Sequence, residues 1–244
     1  MKALRNRKVV VVGGASGIGR AVVDAASEAG ADIVISSRNT ERLAAVAGSV
    51  PRVRSVALDM TDAWSVEAWA AQIDEIDHLV ITASSAVHGP FAELKTDSLQ
   101  TMFDAKFFGP YRTAQAVLDK FREGGSITFF SGVLSRRPGR NCSGLGAVNG
   151  AVESLTRGLA LELGPGLRVN CVSPGMIRSE AYQGLEQETR ETMYRETGQS
   201  LPLKRVGTVE EAAGAALYLM GNSFTTGMVL DVDGGHMIRQ YAVA

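Results

Sequence analysis

The sequence predicts an α/β fold: one doubly wound parallel sheet with helices on both faces. Three observations carry this. Short apolar runs alternate with stretches of helical composition along the whole chain, as βαβ units require. The first run, Val9-Val10-Val11-Val12, consists only of β-branched residues, the composition of a strand buried on both faces. It leads directly into Gly13-Gly14-Ala15-Ser16-Gly17-Ile18-Gly19 and then into a helical stretch over 20–29. Glycines there let the backbone turn tightly and approach a ligand closely. The following helix N-terminus, with its free N–H groups and dipole, favours a diphosphate.

Further strands are expected at Ile33–Ser36, Val53–Leu58, His78–Thr82, Ser126–Phe130, Leu167–Val172 and Met228–Val232. Helices are expected at Glu41–Ala47, Ala63–Ile73, Ser98–Phe121, Leu145–Leu163 and Glu210–Met220. Thr208 and Glu211 have capping-box spacing and mark the start of the last helix. Pro174-Gly175 ends the sixth strand. The polar segment Met176–Lys204 reads as one or two short helices outside the sheet. It follows the carboxyl end of a strand, where ligands bind in such sheets, so it is expected to act as a substrate lid within a single domain spanning 1–244. A solvated helical insertion is the plainer alternative. No linker, repeat or low-complexity segment interrupts the chain.

With 244 residues, 45% of them hydrophobic and 21% charged, the chain is long enough for one large core. A net charge of −1 gives no electrostatic case for nucleic acid or an anionic membrane. No apolar run approaches the roughly 20 residues of a membrane helix. Nothing signals export, so a cytoplasmic location is expected. Cys142 and Cys171 have neither metal-ligand spacing nor a disulfide framework. No metal is expected.

Several spaced elements make the chain similar to a classical short-chain dehydrogenase/reductase over nearly its whole length. Val12–Gly19 resembles the family's TGxxxGxG loop, with Val12 in place of Thr. Asp59-Met60 resembles the Asp-Val pair after the third strand, whose acid contacts adenine. Residues 168–175 (RVNCVSPG) resemble the RVNxxxPG element, and Asp233-Gly234-Gly235 matches the C-terminal turn. The resemblance implies a Rossmann-like fold, a nicotinamide dinucleotide, a small-molecule substrate and usually a homotetramer. It implies cofactor contacts from Gly13, Ala15, Ser16, Gly17, Ile18, Ser37, Arg38, Asp59, Met60, Ala83, Ser84, Asn149, Pro174, Gly175 and Ile177. An acid closing the second strand would bind the ribose hydroxyls of NAD and repel a 2′-phosphate. This strand ends Ser36-Ser37-Arg38-Asn39 without one, and Arg38 offers a planar fork suited to phosphate. NADP(H) is therefore expected, with Arg20 adding positive charge nearby.

The family's chemistry needs Ser, Tyr and Lys, with an Asn earlier in the chain. A gapless alignment from Ser126 to Pro174 puts the Ser on Gly132, the Tyr on Leu145 and the Lys on Asn149. The Asn falls on Lys106, and the NNAG element becomes Ile81-Thr82-Ala83-Ser84. All four functional positions depart from the pattern. Losing a general acid alone costs about 10²–10⁴-fold in rate.

Other polar groups remain. Lys106 reads either as a buried proton donor or electrostatic stabiliser, or as a helix lysine that pairs with a carboxylate or snorkels to solvent. Asn149 keeps hydrogen bonds to a ribose without charge, and Ser131 adjoins the vacant Ser position. His88 lies near the mouth, Tyr182 on the lid, and Arg136, Arg137 and Arg140 form a basic cluster suited to an acidic substrate or partner. Cys142, with no His at a readable spacing, is expected to be inert. Leu145, Val148, Val152, Leu155 and Leu159 form an apolar stripe, and Gly146 and Gly150 permit close backbone approach. The stripe supports a homotetramer or homodimer through helices at about 98–121 and 145–163; a stripe that packs only within the subunit is the alternative. Three functions stay open: an NADP(H) oxidoreductase with an atypical site acting on an activated alkene, imine or carbonyl; a non-redox isomerase, cyclase or lyase; and a non-catalytic dinucleotide-binding sensor.

Overall fold

The computed structural model describes residues 4–82 and 85–239. Its strands are β1 (Lys8–Val12), β2 (Asp32–Ser37), β3 (Val53–Ala57), β4 (Ile76–Ile81), β5 (Phe121–Phe130), β6 (Leu167–Pro174), β7 (Ile177–Arg178), β8 (Gly207–Thr208) and β9 (Val229–Val232). Its helices are α1 (Gly17–Glu28), α2 (Thr40–Ser49), α3 (Ala63–Ala70), α4 (Thr96–Phe103), α5 (Gly109–Gln115), α6 (Ser143–Leu163), α7 (Gln187–Ser200) and α8 (Val209–Gly221). Seven strands form one sheet in the order β3-β2-β1-β4-β5-β6-β9, all neighbours parallel. The strand order reverses between β1 and β4, which opens a crevice at their carboxyl ends.

The apolar run of β1 is explained by its two faces. Val9 and Val11 pack with Ala21, Val22 and Ala26 of α1, Leu43 and Val46 of α2, and Ala212 and Ala216 of α8. Val10 and Val12 point the other way, toward Val66 and Trp69 of α3, Ala114 of α5 and Val152 of α6. Alternate side chains face opposite layers, so a strand covered on both sides has no polar position to spare. The capping box at Thr208 forms: Glu211 N donates to the Thr208 hydroxyl, and the Glu211 carboxylate accepts from Thr208 N at 2.9 Å.

Two expectations are corrected. The helix expected over Ser98–Phe121 is broken into α4, a π turn over Asp104–Phe108, and α5, and β5 already begins at Phe121. Pro110 brings no N–H to the second position of α5, and Gly109 N donates five residues back to Asp104 O. A Cβ on Gly109 would stand 2.9 Å from Met60 Cβ and 2.8 Å from Asp104 O, so only glycine fits this contact without displacement. The apolar stripe of α6 is the second. It is spent inside the subunit: Leu145 and Val148 pack with Met102, Leu99, Phe103 and Leu134. Val152, Leu155 and Leu159 pack against the sheet. The stripe therefore offers no outward seam, and Gly146 is approached by Leu134 O of the same chain, at 2.8 Å from its Cβ position.

One buried polar pair ties β4 to β5. His78 Nδ1 lies 2.8 Å from Ser126 Oγ, and burial pushes the imidazole pKa down to about 4. The unfolded ring takes a proton near its ordinary value of 6.5, whereas the folded ring stays neutral. Between these values the unfolded state binds more protons, so folding stability falls as pH drops through that window, by at most about 1.4 kcal/mol per pH unit. His78→Asn is expected to shrink the fall in melting temperature between about pH 7 and about pH 5. An unchanged pH dependence of melting, measured by circular dichroism, would show that another group carries it.

Candidate active site

The crevice at the β1/β4 switch is shaped by backbone contact. Gly13 and Gly17 have φ of 89° and 53°, in the region where glycine avoids strain. A Cβ on Gly19 would overlap Gly13 O and Thr82 Oγ1. Thr82 closes the far side, its N–H and hydroxyl both donating to Val12 O at 2.9 and 3.1 Å. Ser16 precedes α1 in an extended conformation without a side-chain cap, and the first turn of α1 carries no acid, so its N–H groups and positive end are unopposed. Ala15 and Ile18 pack back on the core behind this loop. Ala83 and Ser84, expected to contact the cofactor, lie outside the described residues.

Along the crevice, Ser37 sits at the end of β2 with its Oγ buried and without a hydrogen-bond partner. Arg38 beside it is exposed. Arg20 is bound to Asp24 at 2.9 and 3.0 Å within α1. Asp59 accepts from Thr61 N and Thr61 Oγ1 on one oxygen, and these bonds hold its pKa below the usual carboxylate range. Met60 is buried, and its carbonyl accepts from Arg112. On the other side, Gly175 N donates to Val232 O, and a Cβ there would stand 2.9 Å from Asp233 Cα. Pro174 closes β6, and Ile177 is buried in β7.

The positions of the absent Ser, Tyr and Lys converge. Gly132 is extended, so any residue could adopt its backbone. A Cβ there would meet Asn149 Nδ2 at 3.0 Å. Asn149 is 2% exposed and its Oδ1 has no partner. A buried side-chain oxygen without a partner is rare in a folded protein. Leu145 presents hydrocarbon one turn earlier on α6.

Lys106 sits in the π turn and is buried. Its Nζ donates to Ser131 O at 3.1 Å, and no carboxylate pairs with it among the described residues. Desolvation lowers its pKa to about 8. Ser131 points its hydroxyl inward, donating to Glu153 Oε1 at 3.1 Å. Glu153 also accepts from Ser135 Oγ at 2.5 Å and lies 3.5 Å from Arg136 Nε. Glu153 and Ser135 were not singled out by the sequence, although a carboxylate four residues beyond Asn149, on the inward face of an apolar helix, is a readable signal.

The basic cluster is not a ligand-facing patch. Arg136 is bound to Asp231, Glu153 and Ser173 Oγ, and Arg137 donates to Met237 O and Arg239 O. Both tie the loop after β5 to the C-terminal segment; Arg140 is exposed. Cys142 is not the isolated thiol expected: His88 Nδ1 lies 3.3 Å from its sulfur. Tyr182 packs edge-on against Tyr194 at 5.8 Å. A second concavity, among Lys8, Asp32, Arg52, Arg54 and Asp74, opens at the amino ends of the strands, but its charges answer one another (Arg52–Asp32 at 2.8 Å, Arg54–Asp74 at 3.8 Å). No group of three or more potential metal ligands occurs among the described residues, and none of their helices is long and apolar enough to cross a membrane.

Strand order, switch-point crevice and glycine loop together define a dinucleotide-binding oxidoreductase architecture. Comparison with known proteins agrees. The family model described as enoyl-(acyl carrier protein) reductase matches residues 13–237. A peroxisomal 2,4-dienoyl-CoA reductase of Danio rerio is 32% identical, over 95% of this chain and 82% of its own length. A small-chain dehydrogenase solved in complex with NADPH is 33% identical with a TM-score of 0.82, covering 96% of this chain and 99% of that one. The MalC reductase/Diels-Alderase of Malbranchea aurantiaca is 28% identical with a TM-score of 0.90, covering 98% and 99%. This chain belongs to the short-chain dehydrogenase/reductase family.

The contact between Gly132 and Asn149 makes their replacement a coupled event. Gly132→Ser is expected to destabilise the protein by about 1–2 kcal/mol, the cost of modest overpacking. In an Asn149→Ala background the same change is expected to cost measurably less. Equal costs in a double-mutant cycle of urea melts would mean that the two side chains do not compete for space.

Proposed function

We propose that this chain is an NADP(H)-dependent reductase with an atypical site, acting on a small molecule whose carbon–carbon double bond is conjugated to a carbonyl or thioester. The observation that carries the reading is Lys106: a buried ammonium with a depressed pKa, bonded to the carbonyl of Ser131, the residue before Gly132. When bound, the nicotinamide supplies hydride. Asn149 Oδ1 accepts from a nicotinamide ribose hydroxyl in place of the family's lysine. Gly13, Ala15, Ser16, Gly17 and Ile18 hold the diphosphate. Ser37 and Arg38 take the 2′-phosphate. Asp59 and Met60 border the adenine, and Pro174, Gly175 and Ile177 border the nicotinamide; Ala83 and Ser84 are assigned to the same cofactor by the family pattern alone.

An alkoxide needs a strong proton donor as it forms, and Leu145 cannot provide one. Adding hydride to a conjugated alkene instead yields an enolate, which is less basic and is stabilised by a nearby cation. Lys106 supplies that charge and, with its pKa lowered to about 8, delivers a proton at neutral pH. Ser131 O fixes Nζ, and Ser131 Oγ is itself fixed by Glu153. The matching family model and the dienoyl-CoA reductase relative both carry names of enzymes that reduce activated alkenes. Residues 176–204 act as the lid: Glu180 reaches Arg42 at the start of α2 (3.4 Å), Arg178 binds Glu191 at 2.6 and 2.8 Å, and Arg178 stacks on Tyr194. Self-association uses the outward faces of α5 and α6 and the π turn between α4 and α5, where Phe108, Tyr111 and Leu161 are exposed. A second reading, a non-redox enzyme on the same fold, is favoured by the apolar cluster around Leu145 and by likeness to a reductase/Diels-Alderase.

Two measurements test the proposal. Nicotinamide fluorescence titrations are expected to give binding of NADPH at least about tenfold tighter than NADH, a preference lost in Arg38→Asp. Equal affinity for both would remove Arg38 from the cofactor site. In steady-state assays with NADPH and 2-cyclohexen-1-one or an enoyl thioester, Lys106→Met is expected to lower kcat about 10²-fold or more with little change in the KM for NADPH. Because the lysine acts while protonated, wild-type kcat should fall as pH rises through about 8, and that limb should vanish in Lys106→Met. Turnover that is indifferent to Lys106, or that proceeds without nicotinamide, would favour the second reading.

A further inference from the structure

Three separate elements meet at the mouth of the crevice. His88 comes from the loop after β4, Cys142 from the residue immediately before α6, and Tyr182 from the segment after β7. Cys142 Sγ lies 3.3 Å from His88 Nδ1. The pairing is built into the backbone: Gly89 N donates to Asn141 O at 2.9 Å, one residue along on each side, so the two side chains are held opposite one another. Asn141 adopts φ of 60°, which aims the next residue at the loop. Cys142 stands at the positive end of the 21-residue α6, where a developing thiolate is stabilised. His88 is exposed, whereas Cys142 is half-buried and open to a ligand entering from that side. Leu145, the replacement for the family's tyrosine, follows one turn later on the same helix.

We propose that Cys142 and His88 form a nucleophilic pair that adds reversibly to α,β-unsaturated carbonyl compounds at the mouth of the cleft. The class of electrophile rests on the activated-alkene reading above; the chemistry at sulfur needs no nicotinamide. With the ring proton on Nε2, the thiol donates its hydrogen bond to Nδ1. The Sγ–C bond forms at the β-carbon as the C=C π bond breaks, and the thiol proton passes to Nδ1. His88 then returns that proton to the α-carbon, and elimination runs the same steps backward. Nothing is oxidised or reduced overall. Burial holds the thiol above its ordinary pKa, and so the resting sulfur keeps its proton until His88 removes it. Tyr182, on the segment after β7, packs edge-on against Tyr194, and burial raises its pKa. Cys171, the other cysteine, is 0% exposed in β6, so it is not accessible to such reagents.

The test uses the whole protein without nucleotide and N-ethylmaleimide as the probe, with adducts counted by intact mass and mapped by peptide digestion. The expected result is a single rapid adduct on Cys142, absent in Cys142→Ser. His88→Gln is expected to slow it by roughly 10²-fold, the usual worth of a positioned base, and added imidazole should restore part of the rate. Melting curves confirm that each variant is folded; if His88→Gln is not, His88→Asn is measured instead. A rate unchanged by loss of the imidazole, a rate no faster than that of a free model thiol, or an adduct mapped elsewhere would overturn the proposal. A parallel NADPH-oxidation assay with 2-cyclohexen-1-one separates the two ideas. Adducts without turnover leave this pair standing and remove the reductase; turnover without adducts does the reverse.

Discussion

The closest constraint in the molecule is the meeting of backbones at the β1/β4 switch. Gly13, Gly19, Val12 and Thr82 come together with no room for a Cβ at Gly19. Thr82 donates twice to Val12 O, which holds the end of β4 against the loop that leaves β1. This contact sets where α1 begins, and therefore where its positive end points. It also fixes the floor from which the segment toward His88 departs. Sheet twist and strand order provide a crevice at this place in any such fold. Only glycine at position 19 lets these backbones meet without displacement.

Around that crevice the polar groups differ from the family's pattern. A Cβ on Gly132 would meet Asn149 Nδ2 at 3.0 Å, so the two positions are sterically coupled. Lys106 is a buried cation in the π turn. Its position depends on the π turn, which in turn depends on Gly109 packing against Met60 and on Pro110. A buried ammonium needs acceptors, and Ser131 O provides one. Behind it, Glu153 collects Ser131, Ser135 and Arg136, and Arg136 continues to Asp231 on the last strand. This polar chain joins β5, α6 and β9 beneath the site. Such a network is stiff when its members are satisfied.

The doubly wound sheet, the glycine loop and the capping box were legible because each depends on neighbours in sequence. A run of β-branched residues, glycines at fixed offsets, and Thr208 three residues before Glu211 act over a few residues. The helix over Ser98–Phe121 was misjudged because composition does not register a five-residue hydrogen bond at Gly109. That bond is set by Met60, which is remote in sequence. The stripe on α6 was read correctly as apolar but assigned to the wrong neighbour. Periodicity identifies a buried face without identifying what buries it. The cluster Arg136, Arg137 and Arg140 looked like a charged patch because its partners, Asp231 and the carbonyls of Met237 and Arg239, lie about a hundred residues away.

The sequence by itself determined the layers, the strand-to-helix loop and the absence of hydroxyl, phenol and ammonium at the three expected positions. These are properties of residue identity and short spacing. Only the tertiary structure decided that Lys106 is buried against Ser131, that Asn149 sets its amide nitrogen beside Gly132 and leaves its oxygen unpaired, and that His88 faces Cys142 across 54 residues of chain. Burial and pairing depend on which segments the sheet brings side by side. A side chain's charge state and reactivity follow from those neighbours rather than from its place in the chain.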